Sequence, residues 1–180
     1  MLTIATVNVN GIRAAIRRGM AAWFTTAQPD ALLLQELRAP KALVENELRT
    51  FLGPDWHITS VESLVKGRSG VAVATRLPVL AVREALPDLG TADAPIAEPE
   101  SDSGRWIEVD LELPDARVLT VVSTYLYSGT VGTPSMEAKY AHLDRVTARL
   151  IELGTHGRLA VVSGDINIAH TELDIKNWKG

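Results

Sequence analysis

Four short polar clusters interrupt the apolar stretches of this sequence: Asn8-Val9-Asn10-Gly11, Gln35-Glu36, Tyr125-Leu126-Tyr127-Ser128-Gly129 and Gly164-Asp165-Ile166-Asn167. Asn, Glu, Asp and Asn supply hard oxygen ligands and amide donors without sulfur, a set that suits Mg²⁺ or Mn²⁺ rather than zinc. Zinc would want clustered His or Cys; there is no cysteine, and the four histidines (57, 142, 156 and 170) have no ligand spacing. The lack of cysteine also excludes a disulfide framework and thiolate chemistry, and fits a reducing compartment. Each cluster alone also reads as ordinary structure. Asn10-Gly11 is a common turn, Glu36 could be a solvated or paired acid, Gly164–Asn167 a turn or helix start, and Tyr125 an aromatic at the edge of a core.

What unites the clusters is position, because each follows an apolar run rich in β-branched or aliphatic residues. Leu2 to Val7, Ala31 to Leu34, the run ending at Thr124, and Arg158 to Ser163 read as buried strands. Further strands are expected near Trp56 to Val61, Gly70 to Thr75, Val79 to Arg83 and Trp106 to Leu113, with Pro114-Asp115 turning a hairpin into Arg117 to Thr124. Ile12, Ile16, Met20, Trp23 and Phe24 share one face of a first predicted helix, flanked by Arg13, Arg17 and Arg18. Leu43 to Phe51 predicts a second, stopped by Gly53-Pro54. After Pro134, the spacing of Met136, Tyr140, Leu143, Thr147, Leu150 and Leu153 predicts a long helix. Leu86 to Gly104, with Pro87, Pro95 and Pro99, reads as a surface loop. This order gives a mixed-sheet α/β fold with helices covering sheets, and places the clusters at strand ends, where ligands gather in such folds.

With 180 residues the chain fits a single domain, and no repeat or interdomain linker divides it. Net charge is −4, but residues 84–115 hold ten acids against Arg105 alone; elsewhere 17 basic residues face 12 acidic ones. Screening confines fields to about 8–10 Å at physiological salt, so a local basic surface is compatible with the overall sign. One large electropositive face is not. The N-terminus carries no basic leader, and no stretch nears the roughly 18 apolar residues that span a membrane. The expectation is a cytoplasmic protein with no membrane partner.

Asn8-Val9-Asn10-Gly11-Ile12-Arg13-Ala14, Leu34-Gln35-Glu36, Gly67-Arg68-Ser69-Gly70-Val71-Ala72, Gly104-Arg105 and Gly164-Asp165-Ile166-Asn167-Ile168-Ala169-His170-Thr171-Glu172 together resemble the exonuclease III branch of the endonuclease/exonuclease/phosphatase superfamily. The resemblance runs through the whole chain, and the last block, continuing into Asp174 and Asn177, is typical of the DNA-repair branch. It implies a four-layer α/β sandwich, two sheets face to face between helices. The implied activity is hydrolysis of DNA phosphodiester bonds, by 3′-to-5′ exonuclease and abasic-site endonuclease action. Implied partners are Mg²⁺ (or Mn²⁺) and double-stranded DNA with abasic sites or 3′ ends, bound by a protein monomeric at full length. Glu36 would be the principal metal carboxylate, with Asn8 a further ligand or an orienting amide. Asp165 would position or deprotonate the attacking water, Asn167 would hold it and the scissile phosphate, and both would border the metal. Tyr125 would reach the phosphate, and Arg13 and Arg18 would contact the DNA backbone or lie on a solvated helix face.

The family pattern ends in a Ser-Asp-His run that grips the phosphate, and no such run occurs here; His170 belongs to the Gly-Asp-x-Asn block and does not replace it. Residues 1–180 are therefore expected to be a domain truncated at its C-terminal portion, inactive alone. Tyr127 stands where the family commonly has proline. Two other readings remain: a phosphatase or phosphodiesterase of the same superfamily, and a catalytically silent module that binds DNA or a partner.

Overall fold

The computed structural model describes residues 1–87, 99, 102–155 and 157–176. Most of the expected loop from Leu86 to Gly104, the acids Asp88, Asp93, Glu98 and Glu100, and His156 and Asn177 lie outside the described residues.

Two four-stranded sheets form the centre. The first contains β1 (Ile4–Asn8), β2 (Ala31–Gln35), β3 (His57–Val61) and β4 (Val71–Thr75) in the order β1-β2-β4-β3; the second contains β5 (Val79–Arg83), β6 (Trp106–Glu112), β7 (Val118–Tyr125) and β8 (Leu159–Asp165) in sequence order. Only β1–β2 and β7–β8 are parallel. A parallel pair needs a crossover, and helices supply it: α1 (Ile12–Arg17) and α2 (Met20–Ala27) for the first pair, α4 (Pro134–Gly154) for the second. The third helix, α3 (Lys41–Leu52), packs beside them and stops at Gly53.

Strand alternation sorts the core into layers. Leu32, Leu34, Ala72 and Ala74 pack under α1 to α3, whereas Leu33, Val71 and Val73 face Ile107, Val109 and Val121 across the two sheets. Trp106 and Val122 turn outward to Val146 and Leu153 of α4. The result is the expected α/β/β/α sandwich. Covered on both faces, β2 and β4 are buried at every position, so their sequences do not alternate. The Pro114-Asp115 hairpin is closed by Leu113 N–H donating to Arg117 O at 2.8 Å.

Three expectations change. The first helix is two, because Gly19 at φ 99° breaks it, and Trp23 is exposed rather than packed with Phe24. Along α4 the buried stripe is His142, Val146, Arg149 and Leu153, while Tyr140 and Leu150 face solvent. The stripe is rotated because carboxylates lie beneath it. Arg149 donates to both oxygens of Glu108 (2.7 and 2.6 Å), and His142 Nδ1 lies 3.1 Å from Asp102. Finally, β8 is a half-exposed edge strand rather than a buried one. No helix among the described residues is long and apolar enough to cross a membrane.

Candidate active site

The parallel pairs bring the polar clusters to one end of the molecule. Asn8 pairs with Gln35 at the end of β1–β2, and Tyr125 pairs with Asp165 at the end of β7–β8. Gln35 ties the pairs together: its amide donates to Ser123 Oγ at 2.9 Å, and Ser123 donates on to Leu34 O at 2.9 Å. Gly164 is required for this closeness, since a Cβ there would overlap the Thr124 carbonyl of the neighbouring strand.

Asn8 is the hub. Its amide nitrogen donates to Glu36 Oε1 at 3.1 Å and to Asp165 Oδ2 at 2.7 Å, while its oxygen accepts Asn10 N–H at 3.0 Å. The other Asp165 oxygen accepts Asn167 N–H at 3.1 Å, and the Asn167 side chain donates to Leu126 O at 2.9 Å. Lys139 of α4 donates to the carbonyls of Asn167 and Ser128, pinning the two loops together. Arg38 pairs with Glu36 Oε2, and the Tyr125 hydroxyl is coupled electrostatically to the same carboxylate.

The loops carrying these groups are strained. Asn10, Glu36, Arg38, Ser69 and Asn167 all have φ between 45° and 54°, in the left-handed region that disfavours side chains. Such residues cost on the order of 1 kcal/mol each and concentrate where function fixes a geometry.

Burial alone would push the Glu36 carboxyl up, but hydrogen bonds from Asn8 and Tyr125 and the Arg38 charge outweigh it and hold the group below its usual range. For Tyr125, burial and the facing Glu36 carboxylate act together and push its hydroxyl up to about 12. At neutral pH Glu36 is an anion and Tyr125 a proton donor. Two carboxylates that share one amide nitrogen leave a surplus of negative charge on oxygen donors, with one guanidinium against it. That donor set fits a hard divalent cation. No group of three or more His, Cys, Asp and Glu that could hold a metal ion forms among the described residues.

All five residues expected from the strand-end clusters (Asn8, Glu36, Tyr125, Asp165 and Asn167) thus meet in one network. Arg13 and Arg18 do not join it. Arg13 lines a separate hollow of about 340 Å³ with Arg17 and Arg38, while Arg18 ends α1; both are exposed, without an ion pair among the described residues. Sequence reasoning missed Arg38, whose position two residues after Glu36 was the available signal, and Lys139. Tyr127 does more than shape its loop. Its buried hydroxyl donates to Asp102, and its ring lies 3.7 Å from the Arg105 guanidinium.

Residues 5–180 match the endonuclease/exonuclease/phosphatase family, and the chain belongs to that family. Among its relatives is a DNA repair nuclease, APEX1, of Danio rerio, 30% identical over 99% of this chain and 53% of its own length. An AP endonuclease structure from Archaeoglobus fulgidus superposes with a TM-score of 0.73 at 26% identity, covering 97% of this chain and 61% of the other. A Neisseria 3′ phosphatase, NExo, bound to product DNA hairpin, superposes with a TM-score of 0.69 at 25% identity, again over 97% and 61%. The chain therefore spans between about half and three-fifths of the length of these relatives.

Proposed function

We propose that this protein hydrolyses phosphodiester bonds of double-stranded DNA at abasic sites or 3′ ends, and that these 180 residues carry the metal-and-water side of its active site. The observation carrying the proposal is the Asn8 amide bridging Glu36 and Asp165 across the joined ends of the two parallel strand pairs. Glu36 and Asp165 would hold Mg²⁺ or Mn²⁺, with Asn8 and Asn167 at its border. Bound there, the metal supplies charge neutralisation for the phosphoryl and leaving oxygens.

The chain's own residues do the rest. Each Asp165 oxygen is anchored by one hydrogen bond, which fixes the carboxylate and leaves its outer lone pairs to accept a water proton. Asn167, held by Leu126 and Lys139, stands beside that water and the phosphate. Tyr125 stays protonated at neutral pH and so acts as a hydrogen-bond donor toward phosphate oxygen rather than as a base. DNA as substrate is supported by the names of the relatives and by the exposed arginines Arg13, Arg17 and Arg18 around α1.

The test is incision of an abasic-site duplex in Mg²⁺, run beside Mn²⁺ binding. The metal-and-water side predicts Mn²⁺ binding that Asp165→Asn weakens. Any incision should vanish in the same variant, and a chain that binds Mn²⁺ and duplex without cutting is the expected result if the phosphate-gripping groups lie outside these residues. Release of phosphate from small monoesters with DNA left intact would replace the nuclease reading with the phosphatase one.

A further inference from the structure

At position 127 the sequence has tyrosine where the family commonly has proline. A proline fixes its own φ and offers neither a hydroxyl nor an aromatic face. Tyr127 uses both, and one short segment, residues 102–105, receives both. The hydroxyl donates to Asp102 Oδ1, and the Arg105 guanidinium lies 3.7 Å from the ring centroid. Tyr127 is 8% exposed and Asp102 4%, so these contacts are shielded from water.

The segment is itself held from two sides. Gly104, at φ 68°, lies so close to the neighbouring loop that a Cβ would come within 2.7 Å of Ser63 N, and Ser103 Oγ accepts Leu64 N–H at 2.8 Å. From the other side α4 anchors Asp102: Arg145 donates to Oδ2 at 2.9 Å, and His142 Nδ1 lies 3.1 Å from the same oxygen. The His142 ring also meets the Tyr127 ring edge-on, with centroids 5.5 Å apart.

Arg105 carries this anchoring to the candidate active site. Its guanidinium has a second ring neighbour, Tyr125, at 5.2 Å, and it donates to the Tyr125 carbonyl at 3.3 Å. In return the Arg105 carbonyl accepts Tyr125 N–H at 2.8 Å. A planar guanidinium can stack on an aromatic face and still donate at its edge, which an ammonium group cannot do. Tyr127 is the buried and fastened ring of the two, whereas Tyr125 is half-buried. The fastened ring therefore sets the other through the arginine, along a line of direct contacts from α4 through Asp102, Tyr127 and Arg105 to Tyr125.

We propose that Tyr127 is a positioning residue of the candidate active site, which acts through Arg105 to hold the Tyr125 side chain in a single rotamer. The inference deepens the nuclease reading and rests on it for the task of Tyr125, donation toward a phosphate oxygen. Such a donor has to be aimed before the phosphate arrives, because a misplacement of about 1 Å can cost about a hundredfold in rate.

The experiment reads the Tyr125 rotamer by nuclear magnetic resonance, without metal or DNA. Three-bond couplings about χ1 of Tyr125 are measured in the wild-type chain, where they should report one rotamer. Tyr127→Phe and Tyr127→Leu both lose the hydroxyl that meets Asp102, and both should be less stable; only the leucine loses the ring. Tyr125 should average over rotamers in Tyr127→Leu and keep its single rotamer in Tyr127→Phe. Averaging in both variants would assign the effect to the hydroxyl's hold on Asp102 and would still support the role. Arg105→Lys leaves Tyr127 and Asp102 in place and should release Tyr125 too, so it decides the matter if Tyr127→Leu does not fold. The exposed Tyr140 on α4 is the control, with couplings that no variant should change. A purely structural Tyr127 would lower stability and leave Tyr125 where it is. A single Tyr125 rotamer in folded Tyr127→Leu or in Arg105→Lys, or an averaged one in the wild type, overturns the proposal. Failure of the nuclease reading would show separately, as a wild-type chain that binds no Mn²⁺ and leaves abasic duplex intact while the rotamer result stands.

Discussion

Glu36 and Glu108 are both poorly exposed glutamates facing arginine, yet their surroundings differ in kind. Glu108 is completely buried and saturated. Arg149 and Arg83 donate to it from two sides, and the Trp106 indole donates to Oε1 at 2.9 Å. Next to it Asp110 takes a two-pronged contact from Arg83 and a hydrogen bond from Thr120. Glu36 shares one amide nitrogen with a second carboxylate, has Arg38 as its only ion-pair partner among the described residues, and sits on backbone in the left-handed region. The first cluster closes its charges against one another and fastens α4 to the second sheet. The second leaves negative charge open at the surface. Acids of the same type are therefore closed against their cations in one place and left open in the other, and the number of cationic partners distinguishes them.

The comparison can be broken by substitution. Glu108→Gln strips the countercharge from two arginines, and removing one partner of a buried pair costs about 3–5 kcal/mol. Urea unfolding should show that loss as a lower midpoint at unchanged slope. Asn8→Ala removes the amide between two carboxylates at the open cluster; the expected cost is about 1–2 kcal/mol, and added Mg²⁺ should recover it. Neither recovery nor any Mg²⁺ effect is expected for Glu108→Gln.

Acid sharpens the contrast further. Glu36 and Glu108 both have folded carboxyls held below the usual 4.5. Their contribution is thus complete above that value and is lost as pH falls through the lower folded values. Stability should be flat from neutral pH to about 5 and then decline, with a shallower decline in Glu108→Gln. The smallest effect belongs to Tyr125→Phe, which should cost about 1 kcal/mol or less. It should also remove a tyrosine titration displaced from about 10 to about 12.

The strands, and the polar residues that gather at their ends, were legible in the sequence because both depend on local signals. Apolar β-branched runs marked the strands, and Asn8, Glu36, Tyr125, Asp165 and Asn167 each stood at the end of one. The buried face of α4 was not legible, since apolar spacing cannot reveal that His142 and Arg149 point inward to meet Asp102 and Glu108. Those acids come from a segment read as surface loop and from the following strand, and only folding brings them under the helix. The break at Gly19 was hidden for a similar reason: Ile16, Met20 and Phe24 keep a helical period across it. The segments of Arg38, Gly70 and Gly104 are joined by hydrogen bonds between distant backbones, which no spacing in the chain encodes.

The central claim is that Glu36 and Asp165 form an open, metal-holding pair. Mn²⁺ titration of the chain followed by electron paramagnetic resonance, with Mg²⁺ as competitor, tests it most directly. The account predicts one displaceable Mn²⁺ per chain, with affinity reduced about tenfold or more in Glu36→Gln while the fold is retained. Equal Mn²⁺ affinity in the wild type and in Glu36→Gln would contradict it.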